Sequence, residues 1–126
     1  MTDHRPMIMI VEDDRATRSF LADNLAADGY EPLAVGSVEE ALPAFSKHRP
    51  ALVLLDLNLP GRDGMELVRE VREADGIASR LDPTLPLIVL SGHADELNRV
   101  RAIDNGADDA LLKPYGYIEL RGGLFR

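Results

Sequence analysis

Acidic residues follow two separate apolar segments of this 126-residue chain. Glu12 and Asp13 come after the apolar run 7–11, and Asp56 comes after the run 51–55. Carboxylates that crowd together repel one another at neutral pH, so such a group must either take up protons or hold a cation. A set of oxygen ligands without His or Cys favours a hard divalent ion, Mg²⁺ or Mn²⁺. These three acids are therefore the first candidates for chemistry.

A hydroxyl and an amine stand at the ends of two further apolar runs. Ser91 follows residues 87–90, and Lys113 follows residues 110–112. A lysine can meet one phosphoryl oxygen as a point charge, and a serine hydroxyl can donate a hydrogen bond to another. Together with the acids, these groups suit phosphoryl transfer. Because the chain has no glycine-rich nucleotide cradle, the predicted nucleophile is a carboxylate, and Asp56 would form an aspartyl phosphate.

The elements that must bring these residues together alternate between strands and helices. The apolar runs lack the alternation of a half-buried strand, so they predict strands buried on both faces. Helical spacing is found at 15–27, 37–48, 65–74 and 95–104, and Pro43 is expected to kink or shorten the second of these helices. The alternation predicts an α/β fold with a parallel sheet. A strand order of 2-1-3-4-5 would set the acids side by side at the carboxyl edge, where such sheets bind ligands.

Composition excludes several classes of function. The chain carries 14 Lys and Arg against 22 Asp and Glu, which gives a net charge of −8, and it contains no cysteine. The absence of cysteine excludes a disulfide scaffold and thiolate metal sites. The acidity gives this segment no basic face for nucleic acid or anionic lipid. No apolar run approaches the ~18 to 20 residues of a membrane span, so we expect a cytoplasmic chain that binds neither nucleic acid nor membrane.

Four segments together resemble the receiver domain of two-component response regulators. They are residues 10–14, 54–64, 89–92 and 106–114, and the resemblance extends over essentially the whole chain. It implies a flavodoxin-like (βα)₅ fold, with a five-stranded parallel sheet of order 2-1-3-4-5 and helices on both faces. It also implies that Asp56 accepts a phosphoryl group from a sensor histidine kinase. The transfer to Asp56 and its reversal by hydrolysis would be self-catalysed, so the chain would not be an enzyme acting on other substrates.

The resemblance also assigns a metal site. It implies that Asp13 and Asp56 ligate Mg²⁺ directly, together with the main-chain carbonyl of Asn58. Glu12 would act on the ion through a water molecule.

The same resemblance gives a role to the hydroxyl and the amine. Ser91 matches the residue that moves onto the phosphoryl group, and Lys113 matches the lysine that pairs with it. Most members of the family have an aromatic residue three positions before this lysine, and Ala110 occupies that position here. The chain therefore lacks the aromatic residue that usually takes part, together with the hydroxyl residue, in the conformational switch of this family.

The most similar subclass consists of regulators that carry a C-terminal winged-helix DNA-binding domain. Those receivers form homodimers through the face of the fourth helix, fifth strand and fifth helix, which Arg99, Asp109 and Glu119 match. Residues 122–126 would end the fifth helix early, so we expect 1–126 to be the receiver part of a longer regulator of transcription. DNA would then be bound only by an output domain outside this segment.

Two other classes of function share parts of this pattern. A pseudo-receiver that acts only as a protein-binding module would account for Ala110, although the acids, the hydroxyl and the lysine argue against it. A phosphohydrolase of the haloacid-dehalogenase kind would also use Mg²⁺ and an aspartyl nucleophile. That class needs Asp-x-Asp, whereas this chain has Asp56-Leu57-Asn58, and no cap domain fits within 126 residues.

Overall fold

The structure, a computed structural model, describes residues 5–57, 59, 64–74, 83–91 and 96–112. Five strands alternate with four helices in these ranges. The strands are β1 (Met7–Val11), β2 (Glu31–Val35), β3 (Leu52–Asp56), β4 (Leu87–Ser91) and β5 (Asp109–Leu112). The helices are α1 (Arg15–Ala27), α2 (Val38–His48), α3 (Gly64–Arg72) and α4 (Glu96–Asp104). The bounds predicted for the four helices and for β1, β3, β4 and β5 agree with these to within about two residues, and the predicted fifth helix lies outside the described residues.

The strands form one parallel sheet in the order β2-β1-β3-β4-β5, as predicted for a flavodoxin-like α/β fold. The order reverses between β1 and β3, where Val11 pairs with Leu55. The residue that follows β1 therefore lies beside Asp56, the last residue of β3. This reversal is the point at which open parallel sheets bind ligands, because neighbouring connections leave the sheet on opposite faces there.

The core lies on both faces of the sheet, since successive residues of a strand point to opposite sides. One face packs against α2, α3 and α4, and its strand residues include Met9, Val11, Val53, Leu55, Leu87 and Val89. The other face packs against Leu21 and Leu25 of α1 through Ile8, Ile10, Leu54, Ile88 and Leu90. This burial of both faces explains the unbroken apolar runs of β1, β3 and β4. Within the described ranges, no helix is both long enough and apolar enough to cross a membrane.

Local sequence sets the starts of α1 and α2. The Asp14 carboxylate accepts hydrogen bonds from the backbone N–H of Thr17 at 2.9 Å and from its hydroxyl at 2.6 Å. The Ser37 hydroxyl accepts from the N–H of Glu40 at 3.2 Å, and the Glu40 carboxylate accepts from the N–H of Gly36 at 2.6 Å. Each helix is therefore capped by side chains within one turn of its first residue.

Pro43 lies inside α2, and the helix continues through it to His48. The helix is therefore not shortened at Pro43, and its predicted end at about His48 is confirmed. Proline removes one helical hydrogen bond, but Val38, Ala41 and Phe45 are buried against the sheet on the same helix. Tertiary packing of the apolar side outweighs the local preference, because most helical stability in proteins comes from such packing.

Arg72, the last residue of α3, joins three chain segments at the amino edge of the sheet. Its Nε donates to the Gly106 carbonyl at 2.7 Å, and its Nη1 donates to the carbonyls of Pro83 and Leu85. Its Nη2 donates to the Asp108 carboxylate at 2.9 Å. Gly106 has a φ of +115°, and a Cβ at this position would lie 2.6 Å from the Arg72 Cγ. Both its backbone conformation and this close approach therefore require glycine at 106.

Candidate functional site

The carboxyl ends of β1 and β3 bring three acidic side chains together. Glu12, Asp13 and Asp56, which we call the acidic cluster, each offer a carboxylate oxygen, and these oxygens lie within 4.8 Å of one another. Glu12 and Asp56 are each only 2% exposed, whereas Asp13 is exposed to solvent. Two of the carboxylates are therefore shielded from water and the third faces it.

This arrangement of charges is unfavourable without a cation. Two unit charges 4 Å apart interact by about 1 kcal/mol in bulk water and by about 4 kcal/mol at an effective dielectric constant of 20. Burial adds to the cost, because a carboxylate loses hydration when it leaves water. Three carboxylates without His or Cys form the oxygen donor set that Mg²⁺ or Mn²⁺ accepts. The acidic cluster therefore fits the predicted ion by its chemistry and its spacing.

The main chain at Asp56 is enclosed by neighbouring elements. A Cβ at Gly64, the first residue of α3, would lie 2.9 Å from the Asp56 carbonyl oxygen and 3.3 Å from the Leu57 Cα. Real Cβ atoms do not approach backbone atoms that closely, so only glycine fits without displacing Asp56. On the other side, the N–H of Leu57 donates to the Leu90 carbonyl at 3.0 Å. Our sequence analysis included Gly64 in a resembling segment but gave it no role.

Arg18 of α1 contacts the main chain of the other two acids. Its Nη1 donates to the Glu12 carbonyl at 3.0 Å and to the Asp13 carbonyl at 3.2 Å. The N–H of Glu12 in turn donates to the Val35 carbonyl at 3.0 Å. Sequence reasoning missed Arg18. The available signal was a long basic side chain near the start of a helix that begins directly after the acids.

Ser91 ends β4 at the same edge of the sheet. Asp56 pairs with Leu90, so Ser91 is one residue beyond the partner of Asp56. Its side chain is fully buried, and its Oγ has no hydrogen-bond partner within the described part of the chain. A buried hydroxyl in this state costs about 1–3 kcal/mol, so it is a candidate to bind a ligand oxygen.

A family model for the response regulator receiver domain matches residues 8–124 of the chain. The chain belongs to the response regulator receiver domain family. The KDP operon transcriptional regulatory protein KdpE of Escherichia coli K12 is 37% identical over 117 residues, which cover 93% of this chain and 48% of KdpE. This receiver domain thus spans about half the length of the curated relatives it matches.

Solved receiver domains have the same fold. The receiver domain of the TMAO respiratory system response regulator TorR superposes with a TM-score of 0.84 at 29% identity, covering 95% of this chain and 93% of that chain. The receiver domain of the sensor histidine kinase PA1611 from Pseudomonas aeruginosa PAO1 superposes with a TM-score of 0.81 at 28% identity. That match covers 95% of this chain and 94% of the other, which contains a magnesium ion in its active site cleft. These matches support neither the pseudo-receiver nor the phosphohydrolase alternative.

Three predicted site residues of this receiver domain lie outside the described residues. They are Asn58, Lys113 and Glu119. Leu112, the last described residue of β5, pairs with Ser91. The roles of these residues therefore remain predictions from the resemblance.

The two described residues of the predicted interface are half-buried. Arg99 lies on α4, and Asp109 starts β5 with its Oδ1 accepting from the N–H of Ala110 at 2.8 Å. Three apolar side chains of α4 are also exposed: Leu97 by 62%, Val100 by 51% and Ile103 by 44%. The structure thus adds an apolar patch that the sequence analysis did not identify.

Proposed function

We propose that this receiver domain accepts a phosphoryl group on Asp56 in a Mg²⁺-dependent reaction, and that this modification switches an output. The supporting observation is the acidic cluster, with carboxylate oxygens within 4.8 Å of one another at the carboxyl edge of the sheet. Asp56 lies at the end of the central strand β3, between the strands that carry the other candidate groups. The domain would act on its own side chain and not on a separate substrate.

Each acid has a defined part in the proposed reaction. Asp13, Asp56 and the Asn58 carbonyl would hold Mg²⁺ directly, with Glu12 acting through water. When bound, the ion neutralises the carboxylates and the charge of the incoming phosphoryl group. One Asp56 oxygen attacks phosphorus, the new O–P bond forms as the donor's N–P bond breaks, and the electron pair of the broken bond returns to the imidazole. Positioning for in-line attack contributes more here than acid or base help.

Ser91 and Lys113 would bind the phosphoryl group once it is attached to Asp56. The Ser91 hydroxyl would donate to one phosphoryl oxygen, and the Lys113 ammonium would neutralise another. A phosphoryl group that makes these contacts in only one conformation shifts the population toward that conformation. Ala110 stands where many receivers have an aromatic side chain, so switching here would rest on Ser91 and on movement of α4.

We propose a sensor histidine kinase as the phosphoryl donor and transcription as the output. Support for the output comes from KdpE, which is a transcriptional regulatory protein. DNA would be bound by a part of the regulator outside this segment, since the segment carries a net charge of −8. Regulation of transcription would also place the reaction in the cytoplasm.

We further infer that the phosphorylated domain forms a homodimer through its α4 face, which we define as Leu97, Arg99, Val100, Ile103 and Asp109. The exposed apolar side chains of this face favour burial against another protein surface. The face also carries charges of both signs, so two copies related by a two-fold axis can pair Arg99 of each with an acid of the other. Glu119 is the acid that the family resemblance assigns to this pairing.

Replacement of the phosphoacceptor tests the central proposal. Wild-type protein and Asp56→Asn are incubated with acetyl phosphate and Mg²⁺, and the added phosphoryl group is measured by intact mass spectrometry. We expect labelling of the wild type and none of Asp56→Asn, because an amide nitrogen and carbonyl cannot replace the attacking carboxylate. Asp23→Asn, an exposed acid on α1, is the matched control and should be labelled normally. Unchanged labelling of Asp56→Asn would show that another residue accepts the group.

A further inference from the structure

We propose that Arg18 is a positioning residue of the acidic cluster. It would hold the main chain of Glu12 and Asp13 so that their carboxylates converge with that of Asp56 on one cation. The inference rests on the proposed function, because it assumes that the acidic cluster binds Mg²⁺. It goes further by assigning the geometry of the site to a basic residue that is not a ligand.

The contacts of the guanidinium support this role. One nitrogen, Nη1, donates to two consecutive carbonyls, those of Glu12 at 3.0 Å and Asp13 at 3.2 Å. Hydrogen bonds from a charged donor are stronger than those between neutral groups. These two bonds use main-chain oxygens, so Arg18 acts on the direction of the peptide units from which both acidic side chains leave. It therefore stabilises the turn between β1 and α1 in one conformation.

The same nitrogen also lies against the turn between β2 and α2. A Cβ built on Gly36 would come within 2.9 Å of the Arg18 Nη1. That turn is itself held, since the N–H of Gly36 donates to the Glu40 carboxylate at 2.6 Å and the preceding Val35 carbonyl accepts from Glu12. Arg18 is thus enclosed between two turns at the carboxyl edge of the sheet. Glycine at position 36 leaves the space that the guanidinium occupies.

Charge alone predicts the opposite effect on cation binding. A positive side chain that contacts the main chain of Glu12 and Asp13 opposes the approach of Mg²⁺, so its removal would tighten binding by electrostatics. Positioning predicts weaker binding after removal, because the acids would no longer be preorganised. Loss of a residue that orients metal ligands from outside the coordination shell costs about 10–100-fold in affinity. The sign of the change therefore separates the two effects.

The test measures the Mg²⁺ dissociation constant by calorimetric titration of the wild type, Arg18→Ala, Arg18→Lys, Gly36→Ala and Arg15→Ala. Thermal unfolding of each variant is recorded, and titrations are performed well below every midpoint. We expect Arg18→Ala to bind Mg²⁺ about tenfold more weakly. Arg18→Lys should fall between it and the wild type, because one ammonium can keep part of the contact. Gly36→Ala should weaken binding in the same direction by displacing the guanidinium.

The control removes an equal charge from the same helix. Arg15 is exposed on α1, so Arg15→Ala should leave the dissociation constant unchanged. If Arg18→Ala binds Mg²⁺ as tightly as the wild type or more tightly, the inference is wrong, even if the variant unfolds at a lower temperature. If the folded wild type itself binds no Mg²⁺, the proposed function fails instead. The two failures are therefore distinguishable in one set of titrations.

Discussion

Ser91 carries a buried polar group that the described part of the protein does not satisfy. Its hydroxyl is fully buried, and within the described residues its Oγ has no hydrogen-bond partner. The hydroxyl of Ser37, by contrast, accepts a hydrogen bond that caps α2. Two serines of the same chain therefore differ in what their hydroxyls contribute to stability.

We predict that Ser91→Ala leaves the free energy of unfolding of the unphosphorylated domain unchanged or higher, because it removes an unsatisfied polar group. The same substitution should weaken the response to beryllofluoride, a phosphoryl mimic, in a Mg²⁺-dependent titration. Urea denaturation and beryllofluoride binding measure the two effects. Ser37→Ala is the control, and we expect it to cost about 1 kcal/mol of stability without changing the response. A clear loss of stability in Ser91→Ala would indicate a structural role for the hydroxyl.

At the scale of elements, Arg72 connects the end of α3 to the segments that precede β4 and β5. Its bonds to three main-chain carbonyls are partly buried. Its ion pair with Asp108 involves a carboxylate that is 57% exposed, so solvent screens that interaction strongly. The contribution of Arg72 to the free energy of unfolding should therefore come mainly from the carbonyl contacts and not from the ion pair.

We predict that Arg72→Met lowers the free energy of unfolding by about 2 kcal/mol or more, since it leaves several carbonyls without their charged donor. Asp108→Asn should cost less than 1 kcal/mol, because the amide oxygen can still accept the hydrogen bond from the Leu87 N–H and only an exposed ion pair is lost. Urea denaturation at neutral pH measures both. Arg69→Met on the exposed side of α3 controls for loss of a charge and should be close to neutral. Equal losses of stability in Arg72→Met and Asp108→Asn would show that the carbonyl contacts of Arg72 do not dominate.

For the whole molecule, the balance of net charge and apolar exposure governs association. Two copies that each carry −8 repel one another at low ionic strength. This repulsion is screened beyond about 8 Å at physiological ionic strength, so the local chemistry of the contact surface decides the outcome there. The α4 face combines exposed apolar side chains with charges of both signs, which suits contact with a second copy.

We predict that beryllofluoride with Mg²⁺ promotes dimerisation and that Val100→Asp raises the dimer dissociation constant by at least about tenfold, or 1.4 kcal/mol. The reason is that an isologous contact would bury two added carboxylates in one apolar patch. Sedimentation equilibrium measures the constant. Phe20→Asp, which charges an exposed apolar residue on α1, is the matched control and should leave the dimer intact. A dimer that survives Val100→Asp or is lost in Phe20→Asp would rule out the α4 face.

The amino-acid sequence by itself determined the elements and most of the candidate groups. Unbroken apolar runs identified β1, β3 and β4, because burial on both faces removes the polar alternation of exposed strands. Helical spacing predicted the starts of α1 and α2 beside Asp14 and Ser37, and these side chains cap the helices through contacts within one turn. The acids at the ends of β1 and β3 could also be predicted, because the end of an apolar run is a local feature of the sequence.

Only the tertiary structure decided which residues hold the main chain, both at the site and at the opposite edge of the sheet. Arg72 donates to main-chain carbonyls that lie 11 to 34 residues away, whereas Arg18 and Gly64 contact main-chain atoms five to eight residues earlier in the chain. No periodicity or spacing distinguishes these three residues from other arginines and glycines. Pro43 shows that tertiary structure can also act against local sequence. Proline disfavours the interior of a helix, but burial of the apolar side of α2 keeps the helix intact. Capping and periodicity act within one helical turn. The contacts of Arg72 form only after the strands have paired, and those of Arg18 and Gly64 depend on the direction in which each helix leaves the edge of the sheet.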